Sequence, residues 1–137
     1  WKETPTGRLG LIILLDQFSR NIFRDTPQAF EQDPKALRVT LEGIEIGHDS
    51  QLEETEKKMF FYMSLMHSED IDIQHISMKK FRELAENDSN AEETLKFAKS
   101  HFDIIERFGR YPHRNEILGR TSSPEELQFL TEPNSSF

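Results

Sequence analysis

Apolar residues recur along this chain at helical spacing, and no stretch alternates apolar and polar residues convincingly over the length of a strand. The segment 5–22 is apolar nearly all round, which predicts a central, buried helix. The segment 91–108 carries an apolar stripe through Leu95, Phe102 and Ile105, which is typical of a helix with one face against a core. The pattern therefore predicts an all-α fold.

Capping residues mark where the helices begin. Thr4 and Ser123 each precede a proline, which suits the first helical position because proline has no amide proton to lose there. Ser123 and Glu126 also have the spacing of a capping box. We predict about six helical segments within a single domain, 1–137: residues 5–22, 27–32 merging into 34–46, 52–66, 70–87, 91–108 and 124–131. Short polar connections between them predict antiparallel helical hairpins.

Composition and charge narrow the range of partners. The chain has 137 residues and no cysteine, so one core suffices and neither a disulfide nor a thiolate metal site can form. This fits a reducing compartment such as the bacterial cytoplasm. The net charge of -8 argues against nucleic acid and anionic membrane surfaces as partners. Because the chain opens with Trp1 and not with Met, we expect it to be a fragment or a processed product.

Arginine is distributed unevenly along the chain. Six of the nine arginines lie in two stretches, 16–24 and 107–120, whereas the lysines mostly follow ordinary solvated helix faces. A planar guanidinium suits bidentate pairing and partial burial better than an ammonium does. These stretches therefore hold most of the candidate ligand-binding residues, which are Arg20, Asn21, Arg24, Arg110, His113, Arg114 and Asn115.

Each stretch has a structural and a functional interpretation. Asp16 and Arg20 are four residues apart, so they share a helix face and can form an ion pair that joins the first helix to its neighbours. In the second stretch Gly109 ends a helix and Pro112 prevents its continuation, which leaves an arginine-rich loop. That loop can receive a phosphate or carboxylate, or its arginines can pair with this acidic chain's own carboxylates.

A third polar cluster, residues 67–70, adds two candidates. His67 and Glu69 could serve as acid and base, and with His101 and His113 they would supply metal-ligand types. The spacing contains neither a histidine pair four residues apart nor a His-Glu-x-x-His motif, so we predict no metal and no cofactor. Ser68 equally suits the N-cap of the next helix.

The same stretches resemble an uncharacterised, mainly bacterial family, number nine-two-four of the domain-of-unknown-function series. The resemblance rests on residues 16–21, 33–36, 67–70, 107–115, 118–120 and 123–127 in this order. It implies an all-helical fold similar to tetratricopeptide-repeat proteins and a further natural helical segment before the position of Trp1, and it implies no activity. Ser19 and Met63 stand where proline is common in the family, which leaves the chemistry unaffected.

Three hypotheses follow. The first is a non-enzymatic helical domain that binds a peptide, a protein or a small anionic ligand through its arginine, histidine and asparagine side chains. The second is a hydrolase in which Glu69 acts as general base, His67 or His113 as acid or metal ligand, and arginines stabilise an oxyanion. The third is that these clusters only hold helices together. The enzyme hypothesis requires His67, Glu69 and His113 to converge in one cleft.

Overall fold

The computed structural model describes residues 1–137, and all of its regular elements are helical. The α-helices, in chain order, are α1 (Pro5–Ile13), α2 (Ser19–Ile22), α3 (Asp33–Glu45), α4 (Thr55–Met66), α5 (Ile71–Asn87), α6 (Glu92–Phe108), α7 (Asn115–Leu118) and α8 (Pro124–Leu130). A π-helical segment, Leu14–Phe18, joins α1 to α2, and short 3-10 turns occupy Pro27–Phe30, Ser89–Ala91 and Pro112–Arg114. The predicted all-α class is therefore confirmed, whereas the finer likeness to tetratricopeptide repeats stays a prediction.

Two of the predicted caps form as expected. The Thr4 hydroxyl accepts from the backbone N–H of Gly7 at 3.0 Å. Ser123 and Glu126 form a reciprocal capping box at the start of α8. At α5 the cap is Asp70, which accepts from Asp72 N–H, and Ser68 instead accepts from the Asp70 backbone N–H. The three polar residues 68–70 therefore order the turn that precedes α5.

The predicted start of α4 at residue 52 is wrong by three residues. Leu52 is buried in the core, and Glu54 has an extended backbone, so the helix begins at Thr55. The prediction that 5–22 is buried all round is wrong for its second half. Leu9 and Ile12 are buried, but Leu14 and Phe18 are 44% and 51% exposed. Only one face of this segment packs against α3 and α4.

Two clusters of apolar side chains hold the helices together. The larger one lies among α1, α3, α4, α5 and α6 and includes the fully buried Ile12, Phe61 and Phe81. In the smaller one, Tyr111 and Phe129 pack against the end of α6. Helix α5 packs along both α4 and α6, and the short connections between these helices make them successive hairpins. None of the helices combines the length and apolar character that crossing a bilayer demands.

Candidate functional site

Asp16 lies at the centre of the candidate site, in the π-helical segment. Its side chain is 1% exposed, and its carboxylate accepts from His67 Nδ1 at 2.8 Å, Arg20 Nη1 at 2.7 Å and Gln17 Nε2 at 2.6 Å. Burial alone would raise the pKa of Asp16, but the adjacent His67 and Arg20 together with the Gln17 hydrogen bond hold it below the ordinary value. Asp16 is therefore an ionised, buried carboxylate that three side chains share.

Arg20 joins this helix to α3, as the structural interpretation predicted. Its Nη1 and Nη2 donate to the two carboxylate oxygens of Asp33 at 2.7 and 2.9 Å, in addition to the bond to Asp16. The guanidinium also lies 5.5 Å from the centre of the Phe30 ring. Arg20 is thus fully engaged by two carboxylates of its own chain.

Arg114 is buried but far less completely engaged. Its guanidinium lies 4.5 Å from the centre of the Phe30 ring and 4.7 Å from that of Tyr111. Nη2 donates to the His67 carbonyl at 3.0 Å, Asp33 lies 3.9 Å from Nη1, and Nε has no acceptor. Burial and the neighbouring Arg20 lower the pKa of Arg114. A cation with an unused donor is costly to bury, so a ligand oxygen there would be stabilised.

These side chains surround a cavity of about 560 Å³, which we call the histidine cavity. It is lined by Arg20, Asn21, Arg24, Asp25, Ala29, Phe30, His67, His101, Tyr111, His113, Arg114, Ile117, Ser136 and Phe137. Six of the nine predicted ligand-binding residues belong to this wall. Asn21 and Arg24 are exposed, and Arg24 forms no ion pair. Three arginines and one aspartate line this wall, and because Asp16 and Asp33 pair with Arg20, the cationic groups left for a ligand are Arg24 and Arg114.

Two further histidines of the cavity are held neutral. Burial lowers the pKa of His101 to about 3, and burial together with the adjacent Arg114 lowers that of His113 to about 4. A neutral His101 donates from Nδ1 to the Phe97 carbonyl at 2.7 Å. The Phe137 ring stacks on His101 with its centre 3.8 Å away. The positive charge of the wall therefore comes from arginine at neutral pH, and an aromatic ring already occupies one of its faces.

The convergence that the hydrolase hypothesis required is not found for Glu69. His67 and Arg114 separate the histidine cavity from a second groove of about 500 Å³, and Glu69 lines only that groove. Both Glu69 oxygens accept from Arg120, at 2.9 and 3.1 Å, and one also accepts from the backbone N–H of Tyr111. Burial would raise the pKa of Glu69, but these donors lower it. Glu69 is thus committed to structural bonds.

The other two predicted residues lie away from the cavity. Arg110 forms a bidentate pair with Glu126, with both bonds shorter than 3.0 Å, and also donates to the Thr121 carbonyl. Asn115 is 1% exposed and joins Ser122, Glu126 and Arg120. The structure therefore does not bring these two side chains to the histidine cavity, because both of them bind Glu126. No three histidine or acidic side chains are grouped closely enough to hold a metal ion.

The sequence interpretation missed several residues of the wall. Phe30, Tyr111 and Phe137 look like ordinary core or tail aromatics, and the sequence indicates His101 only as a possible metal-ligand type. The Tyr111 hydroxyl is already engaged within the chain. It donates to the Met66 carbonyl at 2.6 Å and accepts from Gln74 Nε2 at 2.8 Å. The available signal was the proximity in sequence of Tyr111 to His113 and Arg114.

Comparison with known proteins places the chain in a family. The family model described as a bacterial protein of unknown function, DUF924, matches residues 1–134. The chain belongs to this family. A solved protein of unknown function, ATU0120 from Agrobacterium tumefaciens, is 42% identical, with a TM-score of 0.87 over 95% of this chain and 70% of that one. No curated protein matches the chain. The resemblance noted in the sequence is thereby confirmed, and its fold is shared by a solved relative.

Proposed function

We propose that this domain binds a small anionic ligand, a carboxylate or a phosphate, in the histidine cavity. The observation that carries the proposal is Arg114, a residue only 6% exposed at the cavity wall, whose guanidinium Nε has no acceptor. Buried polar groups in folded proteins are nearly always paired, so a missing acceptor points to a missing partner. An anion against the guanidinium would supply the countercharge, and a small shift of the Arg114 side chain would let it reach the fully buried Nε.

Three further features support an anion of small size. Arg24 and Asn21 are exposed at the same wall and free of ion pairs, so they can meet the ligand as it enters. His113 contributes a second buried nitrogen without a partner, Nδ1. The cavity's volume of about 560 Å³ falls in the range of sites for small molecules. Such sites commonly combine aromatic walls with a few polar groups, as Phe30 and Tyr111 do here.

A peptide is the second candidate ligand. Ser136 and Phe137 of this chain already line the cavity, and the Phe137 ring contacts His101, Tyr111 and His113. The wall therefore accommodates an aromatic side chain on a segment without regular secondary structure. A peptide with an aromatic residue and a nearby carboxylate would use the same surfaces, with its carboxylate against Arg24 or Arg114.

Calorimetric titration with inorganic phosphate, acetate and benzoate tests the proposal. We expect saturable binding of at least one of these anions. Arg24→Gln should weaken it about tenfold, since one charge-assisted hydrogen bond contributes ~1.5 kcal/mol. Arg24 is exposed and makes no ion pair, so this substitution should leave folding intact.

Arg38→Gln is the matched control, because Arg38 is equally exposed, forms no ion pair and does not line the cavity. Its affinity should equal that of the unaltered protein. Absence of binding by all three anions would refute the proposal, as would equal losses in the two variants. Binding of a carboxylate-bearing aromatic peptide with higher affinity than benzoate would instead favour the second candidate.

A further inference from the structure

The contact between Asp16 and His67 fixes which nitrogen of the imidazole carries the proton. His67 Nδ1 lies 2.8 Å from Asp16 Oδ1. The same oxygen accepts from Arg20 Nη1 at 2.7 Å, which keeps the carboxylate ionised and able only to accept. The proton between Asp16 and His67 therefore sits on Nδ1. In neutral His67, the lone pair is left on Nε2.

Nε2 of His67 is free to act on a bound molecule. It makes no hydrogen bond within the chain, and it is not one of the fully buried nitrogen and oxygen atoms that lack a partner. The ring is 16% exposed and belongs to the cavity wall, together with the Arg20 and Arg114 guanidiniums. A base held by a buried carboxylate beside cationic donors is an arrangement that supports proton transfer and stabilises a developing oxyanion.

No side chain of the cavity is placed as a nucleophile for this base. The chain has no cysteine, the Tyr111 hydroxyl is bonded to Met66 and Gln74, and Ser136 makes no hydrogen bond with His67. Water is the remaining group that His67 could activate. The arrangement is thus that of general-base hydrolysis and not of a covalent intermediate.

We propose that His67 is the general base of an esterase reaction in the histidine cavity, that Asp16 is its positioning residue, and that the substrates are esters carrying a carboxylate. This inference rests on the proposed function, because the anionic group anchors the substrate against the arginines. It replaces Glu69 by Asp16 as the carboxylate that supports the chemistry, since the Glu69 oxygens are bonded to Arg120.

The reaction balances with water as the only second reactant. The water oxygen bonds to the ester carbonyl carbon while one water proton passes to His67 Nε2. The carbonyl electron pair moves onto its oxygen, where an arginine such as Arg114 stabilises the negative charge. That pair then re-forms the carbonyl and breaks the bond to the leaving oxygen. The leaving oxygen takes the proton from Nε2, so the products are a carboxylic acid and an alcohol or phenol.

Hydrolysis of 4-acetoxybenzoate, followed by the absorbance of 4-hydroxybenzoate, tests the proposal. We expect saturable turnover that is at least ~10 times faster than with the uncharged methyl 4-acetoxybenzoate, because only the former gains an arginine contact. His67→Gln should lower kcat/KM at least ~100-fold, as loss of a general base does. Asp16→Asn should lower kcat with little change in KM. His75→Gln, at an exposed histidine of α5 outside the cavity, should change nothing.

Two measurements distinguish failure of the proposed anion binding from failure of the esterase inference. Calorimetry with 4-hydroxybenzoate should give similar affinities for the unaltered protein and His67→Gln; if neither binds, the proposed function and this inference both fail. Binding without turnover, or turnover that survives His67→Gln, overturns the esterase inference alone. Nitrogen NMR of the unaltered protein should show the neutral His67 protonated at Nδ1. A neutral His67 protonated at Nε2 would overturn the inference without any substitution.

Discussion

His67 Nδ1 lies 2.8 Å from Asp16 Oδ1, although 51 residues separate the two in sequence. This contact ties the turn after α4 to the π-helical segment after α1. Inserting one residue into a helical turn shifts the side chains that follow, and such π-segments are frequent at functional sites. Together with Arg20 and Asp33, the pair forms a connected group of charged side chains beside the histidine cavity.

Removal of Arg20 should destabilise the fold strongly. Arg20→Gln leaves the buried Asp16 and the partly buried Asp33 without their main countercharge, which should cost about 3 kcal/mol. Urea unfolding measures the change. Lys96→Gln, which breaks a pair whose side chains are 74% and 79% exposed, should have almost no effect. Equal stability of the two variants would contradict the role assigned to Arg20.

Glu69 should contribute to stability and not to ligand affinity. Glu69→Gln removes the charged acceptor of Arg120 and of the Tyr111 backbone N–H, at a cost of about 1–2 kcal/mol for these partly exposed groups. The affinity for benzoate should stay within about twofold, since Glu69 does not line the cavity. A large loss of affinity with unchanged unfolding free energy would reverse this assignment.

Acid should weaken the fold in two stages. His101 has an ordinary pKa of 6.5 and a folded pKa of about 3, so below about pH 6.5 the unfolded chain binds a proton that the folded chain does not. Stability therefore falls as the pH falls, by up to ~1.4 kcal/mol per pH unit for this buried histidine. Asp16, Glu69 and Glu126 have lowered pKa values in the folded chain. Their contribution to stability is therefore lost only below about pH 4.5.

Urea unfolding from about pH 7 to about pH 5 isolates the first stage. His101→Phe should roughly halve the decline, because His113, whose pKa is also lowered, still takes up a proton on unfolding. His75→Phe, at an exposed position, is the matched control and should retain the slope of the unaltered protein. An undiminished slope in His101→Phe would show that other groups cause the loss.

Phe137 should compete with aromatic ligands. Its ring covers a face of His101 at 3.8 Å, so Phe137→Ala exposes that face for another ring. Benzoate should bind several-fold more tightly to the variant, while acetate, which has no ring, should bind as before. Calorimetry of both anions measures the difference. A fall in benzoate affinity would instead mean that Phe137 forms part of the binding surface.

The helices could be predicted from the sequence because their signals are local. The 91–108 stripe and the Ser123 capping box depend on residues three or four positions apart, and both were confirmed. The Asp16–Arg20 pair was confirmed for the same reason. No comparable signal marks the π-helical segment, because residues 5–22 are apolar nearly all round and a shift of one residue leaves no visible break in the pattern.

The candidate site depends on pairs of arginine and carboxylate side chains that are far apart in sequence. Inspection of the sequence cannot assign these pairs. Six predicted residues do line the histidine cavity, but 25 acidic side chains compete for the arginines. Glu126 binds Arg110 and Asn115, and Glu69 binds Arg120. The partners in these pairs are 11 to 51 residues apart in sequence. Which carboxylate pairs with which arginine follows from helix packing, so only the folded structure separates structural pairs from the under-engaged Arg114.

The most direct test of anion binding in the histidine cavity is an NMR titration that observes the arginine Nε–H signals. On saturation with benzoate, we predict large shifts for Arg114 and Arg24 and none for Arg38, which lies outside the cavity wall. The Arg114 signal should also become protected from exchange as its Nε gains an acceptor. Saturation that leaves Arg114 and Arg24 unchanged, or that shifts Arg38 equally, would contradict the account.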